Sequence, residues 1–158
     1  MATRQPLPRT RHAAVGIGSK LVVWGGDGNP APKTTTLEVF DVPSMEWEQP
    51  HVLHSCDMPD ELHGMAVTSD GETAYCYGGD TNSYTYHNTL FQVIPSQSLC
   101  REIKPTSPSR TAPGKSSDGR MVQYNDQLVL YGGVTRWQRQ FNMLHVFDLK
   151  KSECELWC

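Results

Sequence analysis

Short runs of alternating apolar and polar residues fill the chain, and double glycines punctuate them at regular intervals. Residues 20–26 (KLVVWGG), 73–79 (TAYCYGG) and 127–133 (QLVLYGG) each read as an apolar strand running into a glycine pair. The first glycines, Gly25, Gly78 and Gly132, stand 53 and 54 residues apart. Twelve residues after each comes a leucine: Leu37, Leu90 and Leu144. Three further on come Phe40, Val93 and Phe147, and ten after the leucine come Trp47, Cys100 and Cys154. The pattern predicts three copies of one unit, each of four short strands. The first copy places them at 12–19, 20–24, 37–42 and 45–49. The second places them at 62–68, 73–77, 90–94 and 99–103. The third places them at 120–124, 128–131, 144–149 and 154–158, the last cut short by the chain end. Tight turns such as Ser69-Asp70-Gly71 make the strands antiparallel. No amphipathic helix of useful length is legible. The expected fold class is all-β, with one small twisted sheet per repeat.

Composition narrows the partners. The 158 residues carry a net charge of −3 and a pI near 6.0, so no basic surplus points to nucleic acid or an anionic membrane. The apolar runs are far shorter than a bilayer span. Residues 1–12 are charged but lack the apolar stretch of a secretory signal. Five cysteines (Cys56, Cys76, Cys100, Cys154, Cys158) are an odd count in no framework spacing. Reduced thiols and a cytoplasmic or nuclear location are the expectation.

Candidate chemistry is sparse. His51, His54 and Cys56 are metal-ligating types in one loop, but no second ligand pair follows at a suitable spacing, so no metal is expected. Gly16-Ile17-Gly18 lacks the helix and third glycine of a dinucleotide site and reads as a turn. Tyr75 and Tyr77 fall at core-facing strand positions. His12 and His63 have no nucleophile or orienting carboxylate placed beside them by sequence, and are expected to hydrogen-bond loop backbone. Thr106-Ser107-Pro108 has the form of a phosphorylation site, but the expected reading is a plain loop. No cofactor is expected.

Four strands per unit, a glycine pair ending the second and an aromatic opening the fourth resemble kelch repeats, the blades of a β-propeller. The motifs are Gly25-Gly26, Gly78-Gly79, Gly132-Gly133, the Phe40/Phe147 position and Trp47. The resemblance covers the chain from about Arg11 to Cys158 as one array, with blades at about 11–50, 62–104 and 119–158, the last truncated. It departs from the family where Cys100 and Cys154 replace the tryptophan. Trp47→Ala is expected to cost about 3–5 kcal/mol if that side chain is fully buried, and the same change at Cys100 much less. The glycines are expected to let a neighbouring blade's aromatic approach the backbone.

The resemblance implies a non-catalytic protein-interaction module, a scaffold or substrate-recognition part of the kind found in ubiquitin ligase adaptors. Rival classes are a kelch-type oxidase or lyase and an actin cross-linker. Loops held on a rigid frame are where function concentrates, and Tyr, Trp and Arg are enriched at interface hot spots. The loops after the glycine pairs therefore supply the partner-binding candidates: Asp27; Asp80, Tyr84, Tyr86 and His87; Arg136, Trp137 and Arg139. Arg11 and Arg120 join them by resemblance alone, as polar groups aimed at a central peptide-binding mouth. The expected partner is a protein or peptide, with neither nucleic acid nor membrane. Closed propellers use about 4–8 blades. Three units leave two apolar outer faces uncovered, to be resolved by a longer parent chain, by self-association, or by a stable open arc.

Overall fold

The computed structural model describes residues 4–106 and 112–157, with the side chains of 154–157 outside the description. Within these bounds the chain is strand and turn, with a single 3-10 turn at Pro95–Gln97 and no α-helix. Sheet 1 holds β1 (Ala13–Ile17), β2 (Lys20–Trp24), β3 (Thr36–Asp41) and β4 (Glu46–Trp47), with β5 (His51–Val52) also paired to β3. Sheet 2 holds β6 (Ala66–Ser69), β7 (Ala74–Tyr77), β8 (Leu90–Ile94) and β9 (Leu99–Ile103). Sheet 3 holds β10 (Arg120–Tyr124), β11 (Gln127–Tyr131), β12 (Leu144–Asp148) and β13 (Glu153–Trp157). Every named pairing is antiparallel, and all but β5 on β3 join consecutive strands. The β4–β5 interruption follows from Pro50, which has no N–H to give the ladder.

The repeat spacing translates into register. Phe40 faces Trp47, Val93 faces Cys100, and Phe147 faces Cys154 across the last two strands of their sheets. β13 pairs with β12 over five residues, as β9 does with β8, so the last strand is not shorter than its counterpart. β6 begins at Ala66 and not at 62. The chain bends at Gly64, whose φ of +66° ends extended backbone there. Ser107, Pro108 and Cys158 lie outside the described residues, as do the side chains of Cys154 and Trp157.

Two apolar clusters hold the sheets face to face. The first, between sheets 1 and 2, includes Val22, Trp24, Leu37, Val39, Leu62 and Phe91. The second, between sheets 2 and 3, includes Tyr75, Tyr77, Leu90, Met121, Leu128 and Phe147. The first two glycine pairs sit where one sheet meets the next. A Cβ on Gly25 would come within 2.5 Å of Leu62 O, and one on Gly78 would overlap Ser116 O outright. The neighbour that needs the space is backbone, not the aromatic ring expected from sequence. Gly26 N–H donates to Leu62 O at 3.0 Å, and Gly79 N–H donates to Ser116 O at 2.8 Å. A side chain at these glycines would push apart the hydrogen-bonded seam between sheets.

Three expectations need correction. Trp47 is half-buried on the short edge strand β4, with its ring 5.2 Å from that of Phe40, so it is not the central blade contact. Among the described side chains the fully buried tryptophan is Trp24, inside the glycine motif itself. Cys100 is buried and bonded to Cys56, which ties the 50–61 connection to β9; it is not merely a small packing residue. The third concerns the outer faces. The face of sheet 3 that corresponds to the buried Val15, Val22 and Trp24 of sheet 1 carries Val122, Val129 and Tyr131, with Val122 and Tyr131 more than half exposed. The opposite face of sheet 1 is not simply apolar. It carries buried Glu38, ion-paired to Arg4 and Arg9 of the leading segment.

Candidate interaction surface

In each sheet the first strand starts at the end where the second strand finishes. The residues before β1, β6 and β10 therefore share one end of the array with the loops after the glycine pairs. Isolated bridges fix this geometry: Thr10 pairs with Asp27, His63 with Asp80, and Ser117 with Val134. The partners repeat at the same 53- and 54-residue steps as the glycines.

The next residue in each copy has left-handed backbone: Arg11 (φ 50°), Gly64 (φ 66°) and Asp118 (φ 59°). They are linked in series. Gly64 N–H donates to Arg11 O at 2.8 Å, and Asp118 N–H donates to Gly64 O at 2.7 Å. Side chains then cross the same gap. Arg11 Nη2 lies 2.7 Å from Asp80 Oδ1 and 2.6 Å from Asp118 Oδ2, while its Nε donates to Asp118 Oδ1 at 3.2 Å. Arg11 Nη1 donates to His63 Nδ1 at 2.8 Å, which leaves His63 Nε2 to donate to Asn82 Oδ1 at 3.2 Å. One guanidinium thus joins all three sheets. Burial works against its charge, but hydrogen bonds to Asp118 and Asp80 outweigh that and hold the Arg11 pKa above its ordinary value. Gly64 makes the arrangement fit, because a Cβ there would come within 2.6 Å of Arg11 Nη2 and 2.9 Å of Asp118 Oδ1.

The second and third loops share one hydrogen-bonded frame. Thr81 N–H donates to Thr85 O, Tyr84 N–H to Thr81 O, and His87 N–H to Gly79 O. Their counterparts are Thr135 to Arg139, Gln138 to Thr135, and Phe141 to Gly133. Tyr84 and Gln138 occupy the same left-handed tip position. On this frame Tyr84 is 69% exposed and Trp137 is 79% exposed. The Arg136 guanidinium stacks 5.8 Å from the Trp137 ring centroid, and Arg139 is exposed beside it.

The predicted residues therefore separate into groups. Arg11 and Asp80 meet in the clasp. Tyr84, Arg136, Trp137 and Arg139 stand exposed on the two loops. Asp27 is exposed, its backbone bridged to Thr10. Tyr86 is half-buried and bridges Asp80. His87 is half-buried, and its Nε2 is buried without a hydrogen-bond partner. Burial first, then repulsion from Lys115, hold its pKa below the ordinary value, with Asp80 opposing. Arg120 is not Arg11's counterpart; it is exposed, corresponds to Ala13 in sheet 1, and donates to Gly119 O at 3.0 Å. Sequence reasoning missed Asp118 and the side-chain role of His63, which contacts Arg11 and Asn82 and not the expected loop backbone. The 53- and 54-residue offsets would have found both positions, since they align Asp118 with Arg11 and His63 with Thr10. Cys56 belongs to the disulfide, and His51 lies 3.5 Å from Glu48, so the 50–61 loop gathers no ligand set.

Comparison with known proteins places this geometry. The family model described as the KLHDC2/KLHL20/DRC7 Kelch-repeats domain matches residues 2–157. Host cell factor 2 of Homo sapiens is 27% identical over 140 residues, covering 87% of this chain and 17% of its own length. Kelch domain-containing protein 10 of Rattus norvegicus is 24% identical over 143 residues, covering 87% of this chain and 34% of its own. Rab9 effector protein with kelch motifs of Xenopus laevis is 35% identical over 89 residues, covering 54% of this chain and 24% of its own. The chain thus spans about a third or less of the length of these relatives. With three all-antiparallel sheets joined at repeated glycine pairs, and a family match along almost its whole length, the chain belongs to the kelch-repeat domain family.

Proposed function

We propose that this chain is a non-catalytic protein-interaction module, a scaffold or substrate-recognition part, whose contact surface is the loop end of the sheets. The carrying observation is the pair of loops at 80–87 and 134–141. Their backbone hydrogen bonds match, while their exposed side chains differ completely. A fixed frame with exchangeable Tyr, Trp and Arg tips is the form that recognition loops take. The Arg11 clasp beneath supports the reading by holding the three sheets in one geometry, which lowers the ordering cost of binding. The name of the Rab9 effector relative points the same way for that protein.

The test is a photo-crosslinking residue at position 137, with Trp137→Ala and Tyr84→Ala as controls for the bound protein. Both variants should keep the melting temperature and lose the bound protein. Retained binding in both, or a fall of many degrees in melting temperature, would overturn the assignment of this surface.

A further inference from the structure

The two clefts between neighbouring sheets are filled differently. Between sheets 1 and 2 the segment after β5 folds inward. Leu53 N–H donates to Thr35 O at 2.8 Å, and Leu53 and Met58 are buried in the cluster shared by both sheets. Between sheets 2 and 3 a cavity of about 260 Å³ remains at the corresponding place. Register establishes the correspondence. Leu37 faces His51 across β3 and β5, and Leu90 faces Ile103 across β8 and β9. Pro105, two residues beyond Ile103, therefore stands where Leu53 stands two residues beyond His51. Asn88, the counterpart of Thr35, lines the cavity together with Pro105. The connection at 104–118 reads KPTSPSRTAPGKSSD and holds no leucine, isoleucine, valine, methionine or aromatic residue. This connection has no side chain of the kind that fills the first cleft.

We infer that the cleft between sheets 2 and 3 binds an extended segment of a partner protein, which inserts a leucine- or methionine-sized side chain. The chain's own residues 51–58 show the binding mode one sheet earlier. The walls suit such an anchor: Leu90, Ile103, Met121, Leu130 and Phe147 line the cavity. The inference does not depend on the loop surface, because the cleft lies between sheet faces and uses none of Tyr84, Arg136, Trp137 or Arg139.

The test uses the full chain with methyl-labelled methionine and, as probe, a synthetic peptide matching residues 51–59 (HVLHSCDMP) with Cys56→Ser. Binding should shift the Met121 methyl resonance saturably. Leu53→Gly in the peptide should weaken it roughly tenfold or more, the loss expected when a buried leucine is removed. Pro105→Leu in the protein places the sheet-1 filler in the cleft; it should abolish the shift and raise the melting temperature. Trp137→Ala should leave peptide binding unchanged even if it removes a partner from the loops. A Met121 resonance that the peptide does not move would overturn the inference. So would a shift that survives Leu53→Gly in the peptide, a control that needs no altered protein.

Discussion

Replacing Arg11 by methionine tests whether the three sheets are held by one side chain. Methionine keeps much of the length and apolar stem, and it accepts the same left-handed backbone at similar cost, so the change removes mainly the guanidinium. Two contributions are lost. The Arg11–Asp118 pair is open to water, with side chains 37% and 44% exposed, and such pairs are worth about 0.2–1 kcal/mol. The Arg11–Asp80 pair is different, because the Asp80 side chain is only 6% exposed. Stranding a buried carboxylate costs up to about 3–5 kcal/mol. Exposure of the arginine reduces that, and a combined loss of about 2 kcal/mol is the working value. In urea, with a slope of about 1.5–2 kcal/mol per molar, the midpoint should fall by roughly 1 M. Adding Asp80→Asn should restore part of the loss, since a neutral amide is cheaper to leave unpaired. High salt should remove the Asp118 share and spare the Asp80 share. A midpoint shift below about 0.3 M, or no recovery with Asp80→Asn, would refute the clasp.

Three further predictions separate packing from local strain. Gly78→Ala and Gly132→Ala impose the same backbone penalty, with φ of +70° and +72°, but only Gly78 has a neighbouring sheet's carbonyl in the way; the nearest atom to a Cβ on Gly132 is Phe141 O at 3.6 Å. Thermal melts should show Gly132→Ala losing about 1–2 kcal/mol and Gly78→Ala clearly more, and equal losses would mean that the glycines serve only as turns. Trp24→Ala should cost about 3–5 kcal/mol, whereas Trp47→Ala should cost about 1–2 kcal/mol, being half-buried with one aromatic partner; the reverse order in denaturant titration would sink the assignment of the buried tryptophan. Because the folded His87 pKa is depressed, the unfolded chain takes up that proton first as pH falls. The His87 contribution is complete above the unfolded value of about 6.5 and is lost as pH falls toward the folded value, so His87→Phe should flatten that part of the stability curve, and an unchanged slope would remove His87 as the cause.

The fold was legible because strands and turns repeat. Glycine pairs with a fixed distance to a leucine specify which strand pairs with which, and β8, β9 and β10 begin and end where the pattern puts them. What could not be read arises from stacking between copies. Arg11 and Asp118 are 107 residues apart; the repeat offsets align their positions, but nothing in the sequence says that their side chains meet. Trp47 has the side chain expected at a blade centre but lies on a two-residue edge strand, while the less conspicuous Trp24 is fully buried. Cys56 and Cys100 lie 44 residues apart in unrelated motifs and meet only because the 50–61 connection returns along β9.

The clasp also explains why the copies are not identical at the left-handed position. Only glycine takes that backbone without penalty; most other residues there cost about 1–2 kcal/mol, and aspartate less. A repeat selected for stability alone would carry glycine three times. This chain carries it once, at Gly64, with Arg11 and Asp118 on either side. The middle position has no freedom, because its Cβ would enter the contact between the flanking side chains. The outer two have a reason to accept the strain, because their opposite charges meet across the glycine and the Arg11 guanidinium also reaches Asp80. The strain is therefore placed at the end of the sheets that carries the exposed loops. Gly64→Ala decides between this account and a merely tolerant turn. If the account holds, the variant disrupts the Arg11 contacts, and adding Arg11→Met to it costs much less than Arg11→Met alone. Fully additive losses in that double-mutant cycle would show that Gly64 supports only its own backbone.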